Sequence, residues 1–313
     1  MKKSSCLVLA VILCCLLPVS CGHRSGGGNA PVSPSKPFPD IQLPSVISDP
    51  AQRSEYIALH YWDDLQALPM GGSEAEQALA SFLDLLQNGV TMECGKTAMS
   101  KLFSQIEKEE ARDTSRHVFT LMTQLVSRYL YDPNSPLRNE DLYLPFVSAL
   151  ASSPFTSDDM RAAYRYEAES CSLNQYMSVA PDFAVRTITG GTFTLHSVRA
   201  QYIMLFFSNP GCTACKEIID QVMSFPPAVK GLSDGRLAVV NVYIDEDLKA
   251  WREYEHNYPS LWKTGYDLRH VIRGERLYDV RAIPSLYLLD GEKHVLMKDA
   301  PVERVLSVIS ALE

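Results

Sequence analysis

Cys212 and Cys215, in Asn209-Pro-Gly-Cys-Thr-Ala-Cys-Lys216, are the residues of this chain whose type and spacing point most directly to chemistry. The apolar run Tyr202-Ile-Met-Leu-Phe-Phe207 precedes them, and the helix-like segment Lys216-Glu-Ile-Ile-Asp-Gln-Val-Met223 follows. A strand that delivers two cysteines, three positions apart, to the first turn of a helix suits thiol–disulfide exchange. The first sulfur lies at the positive end of the helix dipole, which favours the nucleophilic thiolate. The second lies one turn on, within reach of a mixed disulfide on the first. Glu217, a nearby acid on the same helix, reads as a solvated helix residue.

The remaining cysteines sort by position. Met1-Lys-Lys-Ser-Ser5 is a basic leader and Leu7 to Leu17 an apolar stretch too short to span a bilayer comfortably, so the N-terminus reads as an export signal. Cys6, Cys14 and Cys15 leave with it. Ser20 then precedes Cys21, and this resembles a bacterial lipoprotein signal, cut before a cysteine that becomes lipid-modified. Pro18 departs from that pattern by standing where leucine is usual, with Leu17 one position earlier. The other reading is an ordinary secretory signal with an incidental cysteine. Both place the protein in the cell envelope, outside the cytoplasm. The lipid anchor would tie it to a membrane, and no acidic cluster follows Cys21 to direct it to the cell surface, so a periplasm-facing location is expected.

Cys94 and Cys171 are left as either a structural disulfide, stabilising by about 2–4 kcal/mol, or two buried thiols that never meet. No Cys–His spacing suits zinc, so no metal is expected.

The chain has 313 residues, 46% apolar and 21% charged, long enough for two domains with real cores. Its net charge is −8, and without Lys2 and Lys3 the balance is 27 basic against 37 acidic residues. That sign, with no basic patch of interleaved aromatics, excludes a nucleic-acid partner.

The organisation that follows is a signal over 1–20, a Gly-, Ser- and Pro-rich tether over 21–50, a helical domain over 51–175 and a strand-rich domain over 179–313. Apolar residues three and four apart mark the helices: Tyr56, Leu59, Trp62 and Leu65; Leu79, Phe82, Leu83 and Leu86; Met99, Leu102, Phe103 and Ile106; Val118, Met122, Leu125 and Tyr129. Ser73 with Glu76 predicts a capping box, and Asn139 predicts the cap of a fifth helix after the turn Asp132-Pro-Asn-Ser-Pro136. A last helix is expected from about Ser157 to Glu169. These stripes read as bundle core, without legible chemistry.

Past Val179 the period changes. A hairpin around Gly190-Gly191, the buried strand 202–207, the cysteine-bearing helix and the buried strand Leu237–Ile244 imply a parallel strand–helix–strand unit. A polar, aromatic-rich stretch over 245–279 carries a helix at about 247–257. Then come Arg281-Ala-Ile-Pro284, the strand Ser285–Leu289, an Asp290-Gly291 turn, the strand His294–Met297 and a final helix from Val302.

That order, with C-x-x-C after the first central strand and Ile-Pro before the next-to-last, resembles the thioredoxin fold. Ala180-Pro-Asp-Phe183, Gly191-x-x-x-Leu195 and the insertion before Pro284 are similar to its extracytoplasmic TlpA/ResA-type branch. Tyr61-Trp62-Asp63, Tyr131-Asp-Pro-Asn-Ser-Pro136 and Asn209-Pro-Gly-Cys212 resemble, more narrowly, bacterial lipoproteins with a helical N-terminal domain of unknown function. The fold class implied is a two-domain α+β chain, an all-α domain followed by an α/β thioredoxin-like one.

The resemblance makes Cys212 the nucleophile and Cys215 the resolving thiol of a redox-active disulfide. Pro284 matches the family's cis-proline, which leaves the backbone at Ile283 free to pair with a bound peptide. It implies a thiol–disulfide oxidoreductase working on protein thiols and disulfides, with no cofactor and with an integral membrane thiol electron donor. Departures are Gly211 and Ala214, where Trp and Pro are frequent, and Phe206, where many members hold a buried acid.

Two other readings stand beside it. Pro210-Gly-Cys-Thr213 is somewhat similar to a peroxiredoxin-like thiol peroxidase signature, although Asn209 replaces its threonine. The chain would otherwise be a non-enzymatic binding lipoprotein with a thioredoxin-like module.

Overall fold

The computed structural model describes residues 38–71 and 73–310. The signal segment and Cys21 lie outside the described residues. Folded structure starts earlier than composition suggests. Phe38 packs its ring 5.9 Å from Tyr61 and 5.5 Å from Trp62, so residues 38–50 of the expected tether belong to the body of the protein.

Among the described residues six α-helices form the first half: α1 (Pro50–His60), α2 (Glu74–Asn88), α3 (Met92–Arg112), α4 (Val118–Leu130), α5 (Glu140–Leu150) and α6 (Asp158–Ser172). Their apolar stripes converge on one core in which Leu79, Met99, Leu102, Val126 and Phe146 are fully buried. Caps set the helix starts. Asp49 accepts from the Gln52 amide, Thr91 from Cys94, and Asn139 from Leu142. Ser73 and Glu76 do not close the expected capping box. Ser73 already has helical backbone angles, and Glu76 turns to α4, where it accepts from Arg128 Nη2 (2.5 Å) and Tyr129 Oη (2.6 Å).

The second half runs β1 (Ala184–Arg186), β2 (Thr192–Thr194), β3 (Tyr202–Phe207), α7 (Thr213–Ser224), α8 (Pro226–Asp234), β4 (Leu237–Tyr243), α9 (Leu248–Tyr254), β5 (Lys263–Tyr266), α10 (Val271–Gly274), β6 (Ser285–Asp290), β7 (Val295–Met297) and α11 (Val302–Ile309). The seven strands lie in the order β2-β1-β5-β4-β3-β6-β7. β3–β4 and β4–β5 are parallel, while β6 runs antiparallel to β3. β3 is central and buried on both faces, which is why it reads as an unbroken apolar run. Met204 and Phe206 face a core shared with α7, α8 and α11. Ile203, Leu205 and Phe207 face a second core, with Val185, Ile272 and Tyr278.

β5 and α8 go beyond the sequence expectations. Lys263-Thr-Gly-Tyr266 has no apolar alternation. Its glycine is needed because a Cβ at Gly265 would stand 2.5 Å from both Arg186 O and Val185 Cγ1 on β1.

The helical and sheet halves form one compact unit from Phe38 onward. A buried lysine joins them. Lys298 Nζ donates to the carbonyls of Ser170, Cys171 (both 3.2 Å) and Leu173 (2.7 Å), closing the C-terminal turn of α6, and pairs with Glu140 Oε2 at 2.6 Å. A cation satisfies both the orphan carbonyls and the negative end of the helix.

Candidate active site

The fold places the cysteines at the C-terminal end of β3. Beyond Phe207 the chain passes through buried Ser208 and turns over Asn209-Pro-Gly, where Asn209 O accepts from the Cys212 amide at 3.3 Å. Gly211 takes φ +71°, in the left-handed region. No atom lies within 4 Å of where its Cβ would be. Glycine is therefore needed there for the backbone and not for space. The turn is tied sideways as well: Asn209 Nδ2 donates to Asp245 Oδ2 (2.5 Å), whose other oxygen accepts from Arg273 Nη1 (2.5 Å).

Cys212 is the N-cap of α7. Its Sγ accepts from the Cys215 amide at 3.1 Å, and its backbone is extended (φ −71°, ψ 112°). The two sulfurs are joined in a disulfide, with Cα atoms 5.2 Å apart. The pair is unequally sheltered. Cys215 is 2% exposed and packs with Ile218 and Val222 against the sheet, whereas Cys212 is half-buried. One sulfur can meet an outside group and the other cannot. Such a bond can accept two electrons through its exposed sulfur.

Pro284 follows a cis peptide bond from Ile283. The antiparallel register sets Ser285 opposite Phe207, so Pro284 adjoins the end of β3 from which the cysteine loop leaves. Ile283 packs against both cores, including the one that holds Cys215 and Cys212.

Phe206 occupies the place where the resemblance implies a buried acid in many members. It is fully buried, edge-on to Trp262 at 5.9 Å. The polar groups next to it are neutral. Ser208 Oγ donates its one proton to Asn241 Oδ1 (2.6 Å) and shares a hydrogen bond with Tyr258 Oη (3.2 Å); burial pushes the Tyr258 hydroxyl pKa up, and hydrogen bonds from Ser208 and Asn241 oppose the rise. Asn241 pairs with Phe206 in register across β3 and β4. Its signal in the sequence is one amide inside the apolar run Leu237–Tyr243. Glu217 is exposed, as its reading as a solvated residue expects.

Cys94 and Cys171 do not form the structural disulfide offered as one alternative. Both are free thiols. Cys94 sits in the first turn of α3 with its Sγ toward Glu55 O (4.0 Å), and Cys171 is buried in the last turn of α6. Burial raises the pKa of each, furthest for Cys171.

The whole arrangement has a close counterpart among solved structures. A thioredoxin-like protein from Bacteroides caccae is 32% identical over 87% of this chain and 98% of its own, with a TM-score of 0.73. The chain belongs to the thioredoxin-like proteins. The helical half of this thioredoxin-like protein falls within a match over residues 20–174 to DUF5106, a domain of unknown function. Two further solved structures cover 44% of the chain and 98% of their own. The C-terminal domain of an uncharacterized Bacteroides fragilis protein is 37% identical (TM-score 0.43). The thioredoxin domain of a thiol-disulfide oxidoreductase from Bacteroides vulgatus is 18% identical (TM-score 0.39). No curated protein gives a significant match.

Proposed function

We propose that this protein is a TlpA/ResA-type thiol–disulfide oxidoreductase of the cell envelope, tethered to a membrane through a lipid on Cys21 and acting on protein disulfides. The observation that carries the reading is the Cys212–Cys215 disulfide at the start of α7, with one sulfur half-exposed and the other sheltered.

In the reductive direction the pair begins as a dithiol. The Cys212 thiolate is stabilised by the Cys215 amide and the positive end of α7. It attacks one sulfur of a substrate disulfide, forming a mixed disulfide and releasing the other substrate sulfur as a thiolate that takes up a proton. Cys215, deprotonated by solvent or by the departing thiolate, attacks Cys212 Sγ and expels the second substrate sulfur. Two electrons have moved to the substrate, and the Cys212–Cys215 bond is restored. Oxidation of a substrate dithiol runs the same steps backwards. An extended substrate segment pairs, on this reading, with the backbone at Ile283, before the cis bond to Pro284. The pair needs no cofactor, only a thiol partner to reset it, and an integral membrane thiol donor fits an anchored protein.

The test is acceleration of insulin reduction by dithiothreitol. The wild-type protein is expected to speed it and Cys212→Ala to abolish the effect. Absence of acceleration by the wild type would refute the exchange reading, and peroxide consumption by the purified protein would favour a peroxidase instead.

A further inference from the structure

The second feature with ligand character lies away from the cysteines, where the two halves meet. The turn from α2 into α3, the start of α5, the Tyr176–Met177 linker, β7 and the start of α11 enclose a cavity of about 600 Å³. That volume is in the range of small-molecule sites.

Much of its wall is apolar, with Leu86, Val90, Met92 and Leu296 among the lining residues. Tyr176 and Met177 stand at its rim, 41% and 49% exposed. Met177 adopts φ +64°, a left-handed conformation unfavourable for a long side chain, and is held there by a bond from its amide to Val295 O (2.8 Å).

The cations of the lining are matched with one exception. Lys96 pairs with Asp141 (3.5 Å), Arg138 with Asp299 (3.8 Å) and Lys298 with Glu140 (2.6 Å), while the remaining carboxylate, Glu93, is exposed. Arg304 enters no ion pair among the described residues. Among the described residues the one hydrogen bond of its guanidinium goes to the neutral amide of Gln87, whose own nitrogen is committed to Leu137 O at 2.9 Å. The guanidinium is partly buried, which lowers its pKa with no carboxylate to counter the effect. A sheltered guanidinium without an anion is costly, and among the described residues most of its five N–H donors meet no acceptor.

We propose that this cavity binds a small organic carboxylate with an apolar body, the carboxylate on Arg304 and the body against Val90, Met92 and Leu296. The guanidinium fork matches a carboxylate in charge and in planar, two-point geometry. The single unmatched cation suits a monoanion, and the apolar wall suits hydrocarbon or aryl groups over a hydrated dianion. This inference does not rest on the redox reading.

The experiment is calorimetric titration of the full mature protein at pH 7 with octanoate against octanamide, 3-phenylpropionate against its amide, and inorganic phosphate. Each carboxylate is expected to bind at least tenfold more tightly than its amide, and Arg304→Gln to erase that difference. Val90→Trp, which fills the cavity and keeps the cation, is expected to weaken octanoate at least tenfold. It serves as the deciding variant should Arg304→Gln fail to fold. The proposal is overturned if amides bind as well as carboxylates, if no carboxylate binds at 1 mM, if phosphate binds as tightly as octanoate, or if a folded variant binds octanoate like the wild type.

Discussion

Arg281, three residues before Pro284, donates from Nε (3.1 Å) and Nη2 (2.7 Å) to the buried carboxylate of Glu140 in the first turn of α5. Its Nη1 donates to Tyr131 O (2.7 Å), and the guanidinium lies 3.9 Å from the centre of the Tyr131 ring. The helical half thus grips the loop that leads into the active site. Arg281→Leu is expected to destabilise the protein by about 3 kcal/mol, the lower end of the range for breaking a buried pair, because Glu140 keeps Lys298. The freed loop is also expected to raise KM for insulin by roughly three- to tenfold with a smaller change in kcat. Urea denaturation and steady-state turnover measure the two effects. An unchanged KM in a folded variant would show that the helical half holds the sheet half without tuning the site.

Lys298 offers a cleaner stability test. Its side chain is 1% exposed, and its ammonium holds the carbonyls of Ser170, Cys171 and Leu173 at the end of α6 together with Glu140. Lys298→Met keeps most of the volume but strands these acceptors, and a loss of about 3–5 kcal/mol is expected by urea denaturation. The exposed Lys216–Asp220 pair is the control. Lys216→Ala is expected to leave the midpoint where it is, since water and salt screen such pairs. Equal effects at the two positions would contradict this account of the interface.

The contrast between these lysines marks what the sequence could carry. Local patterns were legible: the stripe of α3, the Asn139 cap, the apolar β3 and the cysteine spacing all follow from neighbours within a turn or a strand. Glu140 and Arg281 are 141 positions apart, and each alone reads as a solvated charge. Their burial depends on how the two halves pack, which no local period reports. β5 is not legible in the sequence for a related reason, since Gly265 is fixed by the approach of β1 and not by any preference of Lys263-Thr-Gly-Tyr266. Of the site, the two cysteines and Pro284 were visible as types and order. The neutral Ser208–Asn241–Tyr258 group behind them became visible only once β3 and β4 were in register.

Asp299 should make stability depend on pH in an unusual sense. Burial pushes its carboxyl up to about 6, against the pull of Arg138, with Glu140 adding to the rise and Ser285 and Arg281 opposing it. Below about pH 4 the group is protonated in folded and unfolded chains alike. Between about pH 4 and 6 the unfolded chain releases its proton first, so stability falls as pH rises. Two units correspond to about 3 kcal/mol. Unfolding free energies of wild type and Asp299→Asn, measured from pH 4 to 6.5, should therefore diverge by about that amount, the wild type losing ground. Parallel profiles would mean that Asp299 is ionised in the folded protein throughout.

The four thiols from Cys94 onward should differ widely in reactivity once the disulfide is reduced. Cys212 is half-exposed and receives an amide N–H at the start of α7, so it is expected to alkylate first with iodoacetamide at pH 7. Cys215 is closed off by the sheet, and Cys94 is slowed by burial and by the nearby Glu55 carboxylate, both of which hold its proton on. Cys171, 1% exposed with its pKa raised by burial and by Glu140, should remain unmodified until the protein unfolds. Timed alkylation followed by peptide mass spectrometry gives the order directly. In Cys215→Ser the same exposed Cys212 should accumulate mixed disulfides with insulin, because no second sulfur can release them. Labelling of Cys171 before Cys212 in folded protein would remove the physical basis for the nucleophile assignment, since shelter and helix position would then not govern which sulfur reacts.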